Sequence, residues 1–123
     1  MTTQHNPQRG AAAEAEALVH LQNQGLHLIT RNFRRKTGEI DLIMRDQHDI
    51  VFVEVKARKH TQHGHPAEYV TAIKQRRIIR TAMIYLQKHP QLAEQPCRFD
   101  VIALLTTHPT TFHWIPNAFQ LHI

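Results

Sequence analysis

The stretch Gly38-Glu-Ile-Asp-Leu-Ile-Met-Arg45, followed after Asp46-Gln-His-Asp49 by Ile50-Val-Phe-Val-Glu-Val-Lys-Ala-Arg58, decides the fold. Both runs alternate in character, are rich in β-branched and aromatic residues, and flank a short polar connection, which is the pattern of a β-hairpin. With a loop of two or four residues, Asp41 stands opposite Glu54 and Glu39 opposite Lys56. Period-two alternation then puts Glu39, Asp41, Glu54 and Lys56 on one face, and Ile40, Leu42, Met44, Val51, Val53, Val55 and Ala57 on the other, the core face. Two carboxylates directly opposite each other destabilise a strand pair by up to about 1 kcal/mol. Folding gains nothing from that pairing. A cation held between the acids would reverse its sign.

Outward from the hairpin, the pattern is helical on either side. Residues 1–9 are polar and expected to form a disordered tail, and residues 10–123 a single domain. From Gly10, an alanine-rich run with Ala17, Leu18 and Leu21 as its apolar stripe reads as a first helix stopped by Gly25. Leu26 to Arg34 reads as a strand ending in the basic cluster Arg34-Arg35-Lys36. After the hairpin comes a polar loop, then a second helix from Pro66 or Thr71 to His89, with Val70, Ile73, Ile78, Met83 and Leu86 buried and Pro90 ending it. Arg98 to Leu105 is apolar enough for a central strand buried on both faces, and Thr110 to Ile115 is a last short strand before Pro116. The order is α-β-β-β-α-β(-β), an α/β domain with a mixed β-sheet flanked by helices.

Composition narrows the function classes. The 123 residues are 41% hydrophobic, with no run long enough to span a bilayer, so a soluble, unprocessed chain is expected and no membrane partner. The single cysteine, Cys97, excludes an internal disulfide and fits a reducing, cytoplasmic setting; it reads as a small buried or half-buried residue. Fifteen Lys and Arg against ten Asp and Glu favour a polyanionic partner, nucleic acid first.

The hairpin acids suggest what such a partner would meet. Hydrolysis of a phosphodiester with Mg²⁺ or Mn²⁺ needs acidic oxygens to hold the ion and positive charge near the reacting phosphate. Asp41 and Glu54 supply the carboxylates, the Val55 carbonyl stands beside them, and Lys56 is on the same face. The competing reading is an ordinary solvated charged face with cross-strand ion pairs. Glu39, facing Lys56, would then neutralise and orient it.

Several of these positions recur together in a known pattern. Gly10-x3-Glu14-x2-Ala17, Arg31-Asn32, Gly38-Glu-Ile-Asp-Leu-Ile43, Val51-Phe-Val-Glu-Val-Lys56 with Arg58, Lys74, Arg98-Phe-Asp100 and Asn117-Ala-Phe119 resemble the YraN-like family of uncharacterised bacterial proteins. That family in turn resembles the restriction-endonuclease-like PD-(D/E)XK nucleases, Holliday junction resolvases among them. The resemblance implies an αβββαβ core and a metal-dependent nuclease site, with catalytic positions on Glu14, Asp41, Glu54 and Lys56 and metal ligands on Asp41 and Glu54. Ala13 departs from the pattern, where the family often has glycine.

The remaining expectations concern binding. Arg34, Arg35, Lys36, Arg58, Lys59 and Lys74 are candidate contacts to DNA phosphates, which position a strand without reading its sequence. Phe33 is the only aromatic among them, which favours duplex or branched DNA over stacked single strands. His60, His63 and His65 have the residue type for zinc but lack a fourth ligand nearby. Arg98 and Asp100 read as a structural ion pair. A nuclease-like protein acting on DNA, for which the likeness to resolvases leaves a homodimer open, stands against two alternatives: a non-cleaving nucleic-acid-binding module of the same fold, and a basic protein-interaction domain.

Overall fold

The computed structural model describes residues 7–58 and 70–120, with side chains from residue 10 onward. The elements are α1 (Pro7–Asn23), β1 (His27–Arg35), β2 (Gly38–Asp46), β3 (Asp49–Arg58), α2 (Ala72–Lys88), α3 (Pro90–Ala93), β4 (Cys97–Leu105) and β5 (Thr111–Phe119). They form one five-stranded sheet in chain order β1-β2-β3-β4-β5. Every neighbouring pair is antiparallel except β3 and β4, which run parallel and are joined through α2. A parallel pair cannot be closed by a tight turn, so the chain needs α2 as its crossover.

The hairpin register is the expected one. Asp46 pairs with Asp49 across the two-residue turn Gln47-His48, and Leu42 pairs with Val53. Gln47 carries the positive φ, 58°, that such a turn requires. Both faces of the sheet are covered. Ala13, Ala17, Leu18 and Leu21 of α1 pack on Leu42, Met44, Val51, Val53, Ile102 and Leu104. On the opposite side Ile78, Ala82, Tyr85 and Leu86 of α2 pack on Ile40, Ile43, Ile50, Phe52, Phe99 and Val101. The face expected to be charged is thus apolar along most of its length, with the acids confined to one end. Ala13 is itself buried in the α1 layer, so its methyl group is accommodated.

Five local expectations are corrected. Ile40 packs on the α2 side with Phe33, its partner on β1, and not with Leu42. Ile73 is exposed, because the buried stripe of α2 runs through Ile78, Thr81, Ala82, Tyr85 and Leu86 and leaves Ile73 to one side. Strand β5 continues through Pro116 to Phe119 instead of stopping at Ile115. It is an edge strand, where a missing N–H costs no ladder bond. Cys97 is exposed. Helix α1 starts at Pro7, three residues before Gly10, and Pro90 ends α2 but opens the single turn α3.

At the far end of the sheet, Arg98 and Asp100 form the expected ion pair within a larger network. Arg98 reaches Asp100 at 3.1 Å, Asp46 at 2.9 Å and Asp49 at 3.2 Å, tying β4 to the hairpin turn. The fully buried Asp100 also accepts the Trp114 indole N–H at 3.0 Å and the Asn117 backbone N–H at 2.9 Å. Buried carboxylates persist when they are satisfied in this way.

Candidate active site and basic cleft

The site begins where the β2–β3 ladder ends. Beyond Leu42 and Val53 the strands diverge, and the Val55 N–H donates instead to Asp41 Oδ2 at 2.8 Å. That bond turns the Asp41 carboxyl toward β3, where Glu54 is the next acid. Asp41 is 8% exposed and Glu54 4%. Burial first, and then the Glu54 charge, push the Asp41 carboxyl up to about 8, against the pull of the Val55 N–H. Near neutral pH it therefore carries a proton most of the time and hydrogen-bonds to Glu54.

Two ammonium groups converge on the same carboxylate oxygen. Lys74 Nζ lies 2.8 Å and Lys56 Nζ 3.5 Å from Glu54 Oε2. Burial pulls the Lys56 ammonium down from its usual range; Glu54 acts against this and the Lys74 charge adds to it. Burial acts the same way on Lys74, but its hydrogen bond and attraction to Glu54 outweigh it and hold the group up. Lys74 is placed by its helix. Thr71 caps α2 by accepting the Lys74 N–H at 3.2 Å, which fixes Lys74 in the first turn. Gln75 adds a bond from its side-chain amide to the Val70 carbonyl at 3.0 Å.

Glu14 approaches from α1. Its carboxyl is raised by burial, lowered by Arg31 and raised again by Glu39, and it takes a hydrogen bond from the Asn32 side chain. Its charge also raises Asp41. Asn32 is a residue to which composition and spacing give no role, although Arg31-Asn32 is part of the family pattern; asparagine is the residue type most tolerant of left-handed backbone after glycine. Among the described residues, no three of His, Cys, Asp and Glu come together closely enough to hold a metal ion, so Glu14 is a neighbour of the Asp41–Glu54 pair and not a third member. Glu39 does not orient Lys56. It pairs with Arg34 at 3.2 Å, and Lys74 joins Lys56 on Glu54 instead.

A cleft of about 400 Å³ adjoins this pair, lined by Arg34, Arg35, Gly38, Glu39, Lys74, Arg77 and Ile78. Its walls are the β1–β2 turn and α2, which approach closely: a Cβ on Gly38 would sit 3.2 Å from Thr81 Oγ1 and 3.3 Å from Arg77 Cβ. Thr81 donates its hydroxyl proton to the Arg77 carbonyl at 2.8 Å, so in the 2.7 Å contact with Thr37 it is Thr37 that donates. Four basic side chains face one acid across the opening. Of the expected DNA contacts, Arg34, Arg35 and Lys74 are brought together here. Arg58 is not among the cleft residues, and exposed Lys36 is also outside it. Lys59 and the histidines His60, His63 and His65 lie outside the described residues. Arg77 joins the cleft although its place in a run of basic helix residues gives no reason to single it out. Phe33 is not a stacking platform for bases: it packs edge-on against Tyr85 at 5.0 Å and carries the Arg35 guanidinium at 4.3 Å on its ring.

The donor set fits a hard divalent cation. It offers buried carboxylate oxygens only, of the kind Mg²⁺ and Mn²⁺ prefer, and two acids whose proximity is costly without added positive charge. In the structure that charge comes from the two lysines.

Comparison with known proteins adds relationship. The family model described as Uncharacterised protein family UPF0102 matches residues 13–104, a span that holds Glu14, Asp41, Glu54, Lys56 and Lys74. A UPF0102 protein of Coxiella burnetii (strain RSA 493 / Nine Mile phase I) is 49% identical over 112 residues, covering 91% of this chain and 92% of its own. One from Pseudomonas putida (strain GB-1) is 45% identical over 113 residues, covering 90% and 92%. One from Stutzerimonas stutzeri (strain A1501) is 45% identical over 112 residues, covering 90% and 93%.

Proposed function

We propose, for a chain that belongs to the UPF0102 family, that the Asp41–Glu54 pair and its lysines form the centre of a metal-dependent nuclease acting on DNA, built on a restriction-endonuclease-like core. One observation carries the reading. Two acids are buried side by side at the open end of the hairpin, on a face that is apolar along most of its length, where they cost folding free energy, and a lysine stands 3.5 Å from one of them. The order α1, three antiparallel strands, α2 and a parallel fourth strand is the arrangement that such a core would have.

In this reading Asp41 and Glu54 hold Mg²⁺ or Mn²⁺, which when bound polarises the phosphate and lowers the pKa of a coordinated water. The remaining work falls to the chain. The Val55 N–H fixes the Asp41 carboxyl. Lys56 stands where it stabilises charge developing on the phosphate. Glu14, across α1, assists by its negative charge on the Asp41 side. Arg34, Arg35 and Arg77 seat the neighbouring backbone phosphates of duplex or branched DNA.

A second reading draws on a different observation. Glu54 is already neutralised by two ammonium groups, which suits a non-cleaving DNA-binding module whose acids serve only to hold lysines in place. Incubation of branched, flapped and linear duplexes with Mn²⁺ separates the two. The nuclease reading expects cleavage that disappears in Asp41→Asn and Lys56→Ala. Binding without cleavage in any arm leaves the module, and cleavage that survives both substitutions defeats the site assignment.

A further inference from the structure

Lys74 belongs to two places at once. Its Nζ is bonded to Glu54 Oε2 at 2.8 Å, and its side chain, 43% exposed, lines the basic cleft with Arg34, Arg35 and Arg77. It is the residue through which the acid pair and the cleft touch.

Its helix does not by itself favour this position. Lys74 sits in the first turn of α2, three residues after the Thr71 cap, where the helix dipole favours an acid and disfavours a cation. Glu54 meanwhile holds a second ammonium, Lys56, on the same oxygen. Two positive charges on one carboxylate oxygen exceed what that group neutralises. Lys56, on β3 and 21% exposed, is the more enclosed of the two. Lys74 reaches Glu54 from a different element, at the end of a flexible four-carbon stem whose rotation needs no backbone movement.

We propose that Lys74 is a positioning residue exchanged between Glu54 and a nucleic-acid phosphate in the cleft, so that phosphate binding and divalent-cation binding favour each other. In the free protein its ammonium compensates Glu54. A phosphate in the cleft offers it an alternative anion, and its departure opens Glu54 Oε2 to a cation beside Asp41. Linkage makes the effect reciprocal: a cation between the acids repels the ammonium toward the cleft and strengthens its contact with phosphate. The inference rests on the reading of Asp41–Glu54 as a cation seat and of the cleft as a DNA seat.

The test measures coupling, which a merely structural lysine would not move. Fluorescence anisotropy with a short labelled duplex gives DNA affinity at constant ionic strength, in EDTA and in Ca²⁺, with gels confirming that the duplex stays intact. For the unmodified protein Ca²⁺ is expected to tighten binding about fivefold or more. Lys74→Gln and Lys74→Met should reduce that ratio, leaving only what the cation's own attraction for phosphate supplies, whereas Arg77→Gln should weaken binding in both buffers and keep it. A wild-type ratio of one, an unaltered ratio in both Lys74 variants, or no DNA binding at all overturns the proposal. Calorimetric titration with Mn²⁺ in the absence of DNA supplies the second arm, in which Lys74→Met should bind the ion more tightly than the unmodified protein. Equal or weaker binding there, with wild-type uptake that Asp41→Asn abolishes, defeats the exchange while sparing the cation seat. Absence of Mn²⁺ uptake in every variant defeats the seat, and the exchange with it.

Discussion

Asp41 takes its hydrogen bond from the Val55 backbone 2.8 Å away, at the point where β2 and β3 stop pairing main chain to main chain. A side-chain oxygen has taken over as acceptor for a strand N–H. The main-chain pairing can therefore stop there without leaving the Val55 donor unsatisfied, and two acids and a lysine stand at that end of the ladder. The bond also explains why Asp41 stays inside despite its cost: its orientation is set by β3, not by solvent. Burial of this kind should be visible in how the protein responds to pH.

The Asp41 carboxyl, ordinarily at 3.8, is raised to about 8 in the folded protein by burial and by Glu54. Between those values the folded state holds a proton that the unfolded chain has released. Stability from this group is therefore present below about pH 4 and lost as pH rises through the folded value. Asp41→Asn keeps an acceptor for the Val55 N–H and removes the titration. In EDTA, urea unfolding at pH 5, 7 and 9 should find the variant progressively more stable relative to the parent, with a gap at pH 9 on the order of 1–3 kcal/mol. A gap that is constant across the three pH values would mean that Asp41 ionises as freely as an exposed acid.

The Asp100 network predicts the opposite separation, of stability from function. Asp100 accepts from Arg98, Trp114 and Asn117, and faces the α1 side of the sheet with Trp114, while Glu54 faces Lys74 on the α2 side. Asp100→Ala leaves a part-buried guanidinium with fewer partners, together with two unpaired donors, and should cost about 3–5 kcal/mol in denaturant unfolding. The DNA affinity of the fraction still folded should match the parent. A loss of affinity beyond the unfolded fraction would place Asp100 within the binding machinery.

Much of the fold is legible in the sequence because the hairpin alternates from Leu42 to Val53. The hairpin register follows from that alternation and a short turn, and it brings Asp41 and Glu54 to the same end of the ladder. The pattern misleads where the period breaks. Ile40 packs on the α2 side with its β1 partner Phe33, while Leu42, two residues on, packs on the α1 side, and no count of alternating residues registers that change. Charges are legible by type but not by partner. Glu39 is expected on Lys56 and found on Arg34, its directly opposite partner on the other neighbouring strand, β1. Lys74 and Arg77 reach the site from a helix far along the chain, a proximity set by the crossover and invisible to local spacing.

Gly38 tests how tightly that crossover is seated. Its φ is 155°, and a methyl group added to its Cα would lie 3.2 Å from Thr81 Oγ1, so no side chain fits between the β1–β2 turn and α2 without displacement. Gly38→Ala should lower stability by about 1–3 kcal/mol through overpacking and displacement of the Thr37–Thr81 hydrogen bond. Because both residues act at one contact, Gly38→Ala with Thr81→Ala should cost less than the two single substitutions together. Thermal or urea unfolding of the four proteins in the cycle measures this, and strict additivity would show that the contact is not shared.

Arg77 gives the most direct check on the cleft. It is exposed on α2, it lines the opening with Arg34, Arg35 and Lys74, and substitution there removes no core contact. If it meets a phosphate, Arg77→Gln should weaken DNA binding about equally for every duplex sequence. It should also reduce the slope of log affinity against log salt by about one, the signature of one fewer phosphate contact. Arg80, exposed on the same helix and not among the cleft residues, is the matched control, and Arg80→Gln should leave the slope near its parent value. Titrations across a salt series compare the two directly. Equal effects from both arginines would mean that the helix attracts DNA by its overall charge, and a change in Arg77→Gln alone assigns the phosphate contact to the cleft.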